Sequence, residues 1–140
     1  METDATRMCQ LLVGLPTVTV LGVVDEDPNV PIVVVIETLL EASERCAECG
    51  SPARIKDRDP VLLADLPAFG RCARLLWRKR RWRCPDVSCA AGSWTELAPQ
   101  IAAPRLGLTD RAGRWATFQV GCHGRPLRRS PLTWAATGTP

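Results

Sequence analysis

The chain has 140 residues, 46% hydrophobic and 24% charged, enough to bury roughly two-thirds of its unfolded surface as one domain or two very small ones. Its seven cysteines, an odd number, exclude a disulfide framework that pairs them all. The net charge of +3 conceals an asymmetry: residues 1–65 carry 5 basic and 12 acidic side chains, whereas residues 66–140 carry 13 basic and 3 acidic. Such a split points to a polyanionic partner for the second half. The acidic start, Met1-Glu-Thr-Asp4, is unlike a secretory signal, and the apolar run Leu11–Val24 is too short and too broken by Gly14, Pro16 and Gly22 to span a bilayer. No membrane partner is expected, and a reducing cytoplasm is, where close cysteine pairs more often hold metal than form structural disulfides.

In chain order, the first predicted elements are two β-branched runs, Thr17–Val24 and Pro31–Glu37, joined by Asp25-Glu-Asp-Pro-Asn29. Asp and Asn side chains bond their own backbone and proline presets its φ, so the spacing predicts a β-hairpin. Five consecutive apolar residues in the second run imply that both of its faces are covered. Residues 1–45 therefore form a hairpin scaffold. Leu39–Arg45 is ambiguous between strand and helical turn.

Cys46-Ala-Glu-Cys49-Gly50 follows, and Cys84-Pro-Asp-Val-Ser-Cys89 closes the same region. A structural zinc ion takes four ligands in a tetrahedron, and a tight Cys-x-x-Cys-Gly turn aims two thiolates at one point. The 34 residues between the pairs suffice for an outgoing and a returning strand, so residues 46–97 are expected to form a zinc-ribbon-like finger with Cys46, Cys49, Cys84 and Cys89 as ligands to Zn2+. A redox role for Cys-x-x-Cys would need a thioredoxin-like βαβ pattern, which is absent. Cys9, Cys72 and Cys122 have no near partner and are expected to be small buried thiols. His123, flanked by Cys122 and Gly124, is expected in a loop rather than at the metal.

Between the pairs runs a cationic strand, residues 71–83, with seven basic side chains, two tryptophans and no acid. Arginine neutralises phosphate, and aromatic rings pack on sugars or bases. The expected DNA-facing residues are Arg71, Arg74, Arg78, Lys79, Arg80, Arg81 and Arg83, with Trp77 and Trp82 mainly packing. Strand alternation prevents all seven from facing one partner. Ala90–Glu96 is predicted as a short returning strand, and Ala98–Pro104, with its two prolines, lies in a linker spanning 98–107. Thr109 then caps a helix with Asp110 in its first turn, and Gly121 is expected to end it. Arg111 and Arg114 on that helix complete the DNA-facing set.

These residues resemble the N-terminal region of bacterial ISL-type insertion-sequence transposases, from about the first strand to Pro126. The resemblance is carried by Leu11-Leu-Val-Gly-Leu15, Cys46-x-x-Cys49-Gly50, Asp65-Leu-Pro67, Arg81-Trp-Arg-Cys84-Pro85, Trp94-Thr-Glu96, Leu108-Thr-Asp-Arg111, Arg114-Trp-Ala116 and Val120-Gly-x-x-Gly-Arg-Pro126. It implies an α+β fold: a small β-hairpin, a zinc-ribbon finger, and the start of a helix-turn-helix at 108–126. It also implies double-stranded DNA, the terminal inverted repeats of a mobile element, as the partner in the nucleoid, with an intact transposase as a second partner. In that family a catalytic domain with three carboxylates follows. Here only Asp86, Glu96 and Asp110 remain after residue 66, so catalysis by this chain alone is not expected. The tail 127–140 departs from the family. Read one base over, the codons for Leu132–Pro140 can spell a helix-turn-helix-like segment, so a frameshift and a disordered tail are expected. A stand-alone zinc ribbon that contacts protein or RNA is the competing reading. One zinc per chain, and loss of folded structure on chelation, are expected in either case.

Overall fold

The computed structural model describes residues 1–40, 43–68 and 70–123. The helix-turn-helix beyond residue 123 and the tail 127–140 lie outside the described residues.

The predicted hairpin is present. Strands β1 (Val18–Val24) and β2 (Ile32–Thr38) pair antiparallel, with a bulge between Val20 and Gly22. Asp27 Oδ1 accepts from the Asn29 backbone N–H at 2.7 Å, the local bond that makes Asp-x-Asn a turn. A helix not foreseen in the sequence precedes it: α1, Ala5–Val13. Its signals were local. Asp4 accepts from the Arg7 N–H, and Gly14, at φ 68°, donates to the Gln10 carbonyl, closing the two ends.

Two long strands follow. β3 spans Arg54–Ala68 and β4 spans Arg71–Arg83, paired antiparallel over nearly their whole length. β2 runs parallel to β4, so the sheet order is β1-β2-β4-β3. The hairpin scaffold and the finger therefore share one sheet. Pro60 is tolerated within β3 because β3 is an outer strand of this order, where a missing N–H breaks no ladder. β5 (Ser93–Thr95), inside the predicted returning strand, adds to β4 at Arg81–Arg83.

The main core lies on one face of the sheet. Val18, Val20, Ile36, Leu63, Leu75 and Trp77 pack there with Ala98, Ile101 and Ala102, and Cys9 and Val13 of α1 lie against them. Residues 98–107 thus differ from the expected linker. Their prolines fix turns, and the side chains of Ala98, before Pro99, and of Ile101 and Ala102, between Pro99 and Pro104, are inside. The other face of the sheet carries Val24, Val33, Val35, Leu62 and Leu76 in adjacent register positions. Val24 and Leu62 are exposed there, so β2 is not covered on both faces among the described residues, contrary to the expectation from its apolar run.

The last element, α2, spans Asp110–His123. Thr109 caps it as predicted, its Oγ1 accepting from the Ala112 N–H at 3.2 Å. The helix runs through Gly121 rather than stopping there, since glycine in a helix costs only about 1 kcal/mol. Asp65, buried in β3, accepts from Thr109 Oγ1 and from both Nε and a terminal nitrogen of Arg111, which also donates to the Val13 carbonyl. One carboxylate and one guanidinium so join β3, α2 and the end of α1.

Candidate metal centre and cationic strand

Each cysteine pair is set by its own turn. In the first, Cys46 N–H donates to the Ser51 carbonyl and Gly50 N–H to the Cys46 carbonyl, both at 2.9 Å. That return requires the left-handed conformation Gly50 adopts at φ 73°, a region L side chains resist. In the second, Asp86 Oδ1 accepts from the Ser88 N–H and hydroxyl, and Cys89 N–H donates to the Asp86 carbonyl. Cys84 N–H is tied to the Gly92 carbonyl, bringing β5 up beside the knuckle.

The four sulfurs lie within 4.8 Å of one another, with Cys46–Cys89 at 3.7 Å and Cys49–Cys84 at 3.4 Å. Four Zn–S bonds of about 2.3 Å in a tetrahedron put sulfurs roughly 3.8 Å apart, so the cluster fits zinc and is too open for disulfides. Cys46 and Cys84 are buried, Cys89 half-buried and Cys49 exposed. The thiols differ accordingly. Ser51 draws Cys49 down to about 6, by its hydroxyl first and then its backbone. Burial is the main force pushing Cys84 up to about 12. The Ala91 backbone lowers Cys89, but burial and the thiols of Cys46 and Cys49 outweigh it, and Cys89 sits above its ordinary value. Among the described residues this is the one group of three or more cysteine, histidine or acidic side chains that could hold a metal.

Residues 42–89 match the family model for the zinc-finger of transposase IS204/IS1001/IS1096/IS1165. The match contains all four cysteines, and with the sulfur geometry it supports the cluster as a zinc site. No curated protein and no solved structure matches the chain. No helix among the described residues is long and apolar enough to cross a membrane.

The other three cysteines depart from expectation: Cys9 and Cys72 are half-buried and Cys122 is exposed, so none is a core thiol.

The zinc finger's cationic strand is split by the sheet. Along the first half of β4 the odd positions are buried, Ala73, Leu75 and Trp77; beyond Arg78 the even ones are, Arg80, Trp82 and Cys84. The buried face thus switches along the strand: the first half turns its odd residues to the main core, and the second turns inward its even ones, with Thr38, Glu37 and Glu96 around Arg80. This is why the hydrophobic alternation of the segment is irregular in sequence although the strand itself is regular.

The candidate DNA-facing residues separate accordingly. Arg80 is buried; it donates to Thr38 Oγ1 at 3.0 Å and pairs with Glu96 at 3.4 Å and Glu37 at 3.7 Å, which corrects its placement on a DNA-facing surface. Arg71 is spent on the hairpin turn, pairing with Asp25 and donating to the Asp27 and Val30 carbonyls. Arg111 is held by Asp65. Arg74 is half-buried on the face opposite the core, in register with Val33. Arg78 is largely exposed, 3.6 Å from Glu37, and Arg114 is exposed, pairing with Asp110 one helical turn away. Lys79 lies 4.5 Å over the Trp77 ring, Arg81 is 3.7 Å from Asp57, and Arg83 is exposed. Lys79, Arg81 and Arg83 occupy one face of β4, next to the zinc knuckles. Sequence inspection passed over Arg54 and Lys56 at the start of β3, both exposed; the antiparallel partner of Arg54 is Arg83. Pairing of β3 with β4 was the missing information.

Proposed function

We propose that the chain is the DNA-binding N-terminal module of an insertion-sequence transposase, with zinc holding a cationic strand end against the duplex. The observation that carries this is the row Lys79, Arg81 and Arg83 along one face of β4, half-buried at Lys79 and Arg81 and exposed at Arg83, beside a four-cysteine cluster within the segment that matches a transposase zinc-finger. Such cations neutralise backbone phosphates, which positions a protein on DNA without reading sequence. α2 is then the first helix of a helix-turn-helix, with Arg114 on its exposed side, and its second helix would read base edges.

The chain itself is proposed to bind and not to cut. Asp86 is bonded into its own turn, Glu96 to Arg80 and Asp110 to Arg114, whereas two-metal cleavage needs carboxylates converging on one site. The test is binding of the zinc-loaded chain to the element's terminal inverted repeats against random duplex of equal length, over a range of salt. Preference for the repeats, with affinity falling steeply as salt rises, is expected; equal affinity for both would remove the end-binding role, and no binding to either would remove the DNA-binding reading. A second reading, contact with protein, is favoured by the exposed Val24 and Leu62 on the sheet face opposite the core.

A further inference from the structure

One cleft is lined by the second zinc knuckle itself. It has a volume of about 410 Å³, and Lys56, Arg83, Cys84, Asp86, Val87 and Cys89 are among its walls. Arg54 stands across the β3–β4 ladder from Arg83. Like charges directly opposite on paired strands destabilise a sheet, and here a third cation, Lys56, is set at the bulge between Ile55 and Asp57. Among the described residues none of the three side chains has an ion-pair or hydrogen-bond partner. The acid of the lining, Asp86, is bonded into its own knuckle by Ser88 and pairs with neither Lys56 nor Arg83, and Asp57 pairs with Arg81. Two unpaired cations on one concave surface, Lys56 and Arg83, with Arg54 beside Arg83 on the neighbouring strand, are suited to an anion with several oxygens.

We infer that this cleft is a binding site for a phosphodiester of the nucleic-acid backbone, held by Lys56, Arg83 and Arg54 and positioned by the second zinc knuckle. The inference rests on the DNA-binding reading above and names a site within it. The Arg83 guanidinium suits two phosphate oxygens at once, and the Lys56 ammonium supplies a point charge beside it. Zinc acts here indirectly: Cys84 follows Arg83, so the metal fixes the end of β4 from which Arg83 projects.

The test compares the zinc-loaded full chain with a Lys56→Gln/Arg83→Gln double variant, using a short fluorescent duplex between about 50 and 200 mM salt. Each phosphate contact contributes about 0.9 to the slope of log affinity against log salt, so the double variant, stripped of both cations that line the cleft, should lose about 0.9 from that slope and weaken on every sequence alike. The charge-preserving Lys56→Arg/Arg83→Lys variant should keep it. Zinc content reports folding; should the double variant lose its metal, Lys56→Gln alone, on β3 rather than next to Cys84, carries the test, with weaker binding on every sequence and a slope lowered by part of that ~0.9. An unchanged slope in a zinc-loaded variant overturns the cleft and leaves the DNA-binding reading standing. Competition by inorganic phosphate at constant ionic strength would reveal a free-anion site and also overturn it. Absence of duplex binding by the unmodified chain overturns both.

Discussion

Arginines two or three positions apart in the same strand have opposite duties. Arg80 is enclosed by Thr38, Glu96 and Glu37, with only 6% of its side chain accessible, and Glu96 beside it is 11% accessible. Removing Arg80 leaves a carboxylate inside the sheet with its main countercharge gone, and breaking a buried pair from one side typically costs about 3 kcal/mol. Arg83 is exposed and makes no such contact. Arg80→Gln should therefore lower the unfolding free energy in urea by about 3 kcal/mol, while Arg83→Gln stays within about 0.5 kcal/mol of the unmodified chain. Equal effects of the two substitutions would show that the ion-pair network around Arg80 contributes little. The sequence discloses seven cations between residues 71 and 83, but not which of them turn inward. That depends on β2 and β5 covering successive halves of one edge of β4, and neither pairing leaves a local signal.

At the scale of elements, the zinc knuckles were the most legible part of the chain. Cys46-x-x-Cys49-Gly50 and Cys84–Cys89 encode their turns within a few residues, through Gly50 in one and Asp86 with Ser88 in the other. The β1–β2 hairpin and the Thr109 cap were legible for the same reason. Helix α1 was legible in principle, since Asp4 and Gly14 mark its ends, but the apolar run that follows drew attention to strand formation. The packing of residues 98–102 was hidden because prolines signal turns and say nothing of what the residues between them touch. The knuckles also set a pH dependence. Zinc takes thiolates, so metal binding must displace any proton the free cluster holds. Near neutrality Cys49, drawn down to about 6, has largely lost its proton, whereas Cys84, pushed up to about 12, and Cys89, also raised, retain theirs. At least two protons leave on binding, and affinity should rise with pH by about a hundredfold per unit between roughly pH 6.5 and 8. Competition against a chromophoric chelator at two pH values measures this; an affinity independent of pH would mean that the free cluster is already fully ionised.

For the whole molecule, the question is how far the zinc site supports the sheet. Small zinc modules often unfold without metal because coordination supplies most of their stability. Here β4 passes out of the zinc end into a second, metal-independent core, where Ile36, Leu75 and Ile101 are at most 1% accessible and Trp77 lies among them. A Trp or Leu removed from such a site costs several kcal/mol, so this core has its own hydrophobic support. The zinc end has far less: β5 is three residues long, and Trp82 opposite Trp94 is its main apolar contact. Chelation should thus melt the chain locally. In hydrogen exchange, the amides paired at Arg81–Arg83 and in the knuckles should lose protection by orders of magnitude, while those of residues 73–77, held between β2 and β3, stay protected. Simultaneous loss in both halves would show that zinc holds the entire sheet; retention in both would show that β5 needs no metal. The local outcome follows from the burial pattern of β4, because the face that shields its first half is not the face that the metal closes over its second. A strand built this way can have its cationic end released and restored by zinc while its other end remains folded, and duplex binding should be lost on chelation and regained on adding zinc without global refolding.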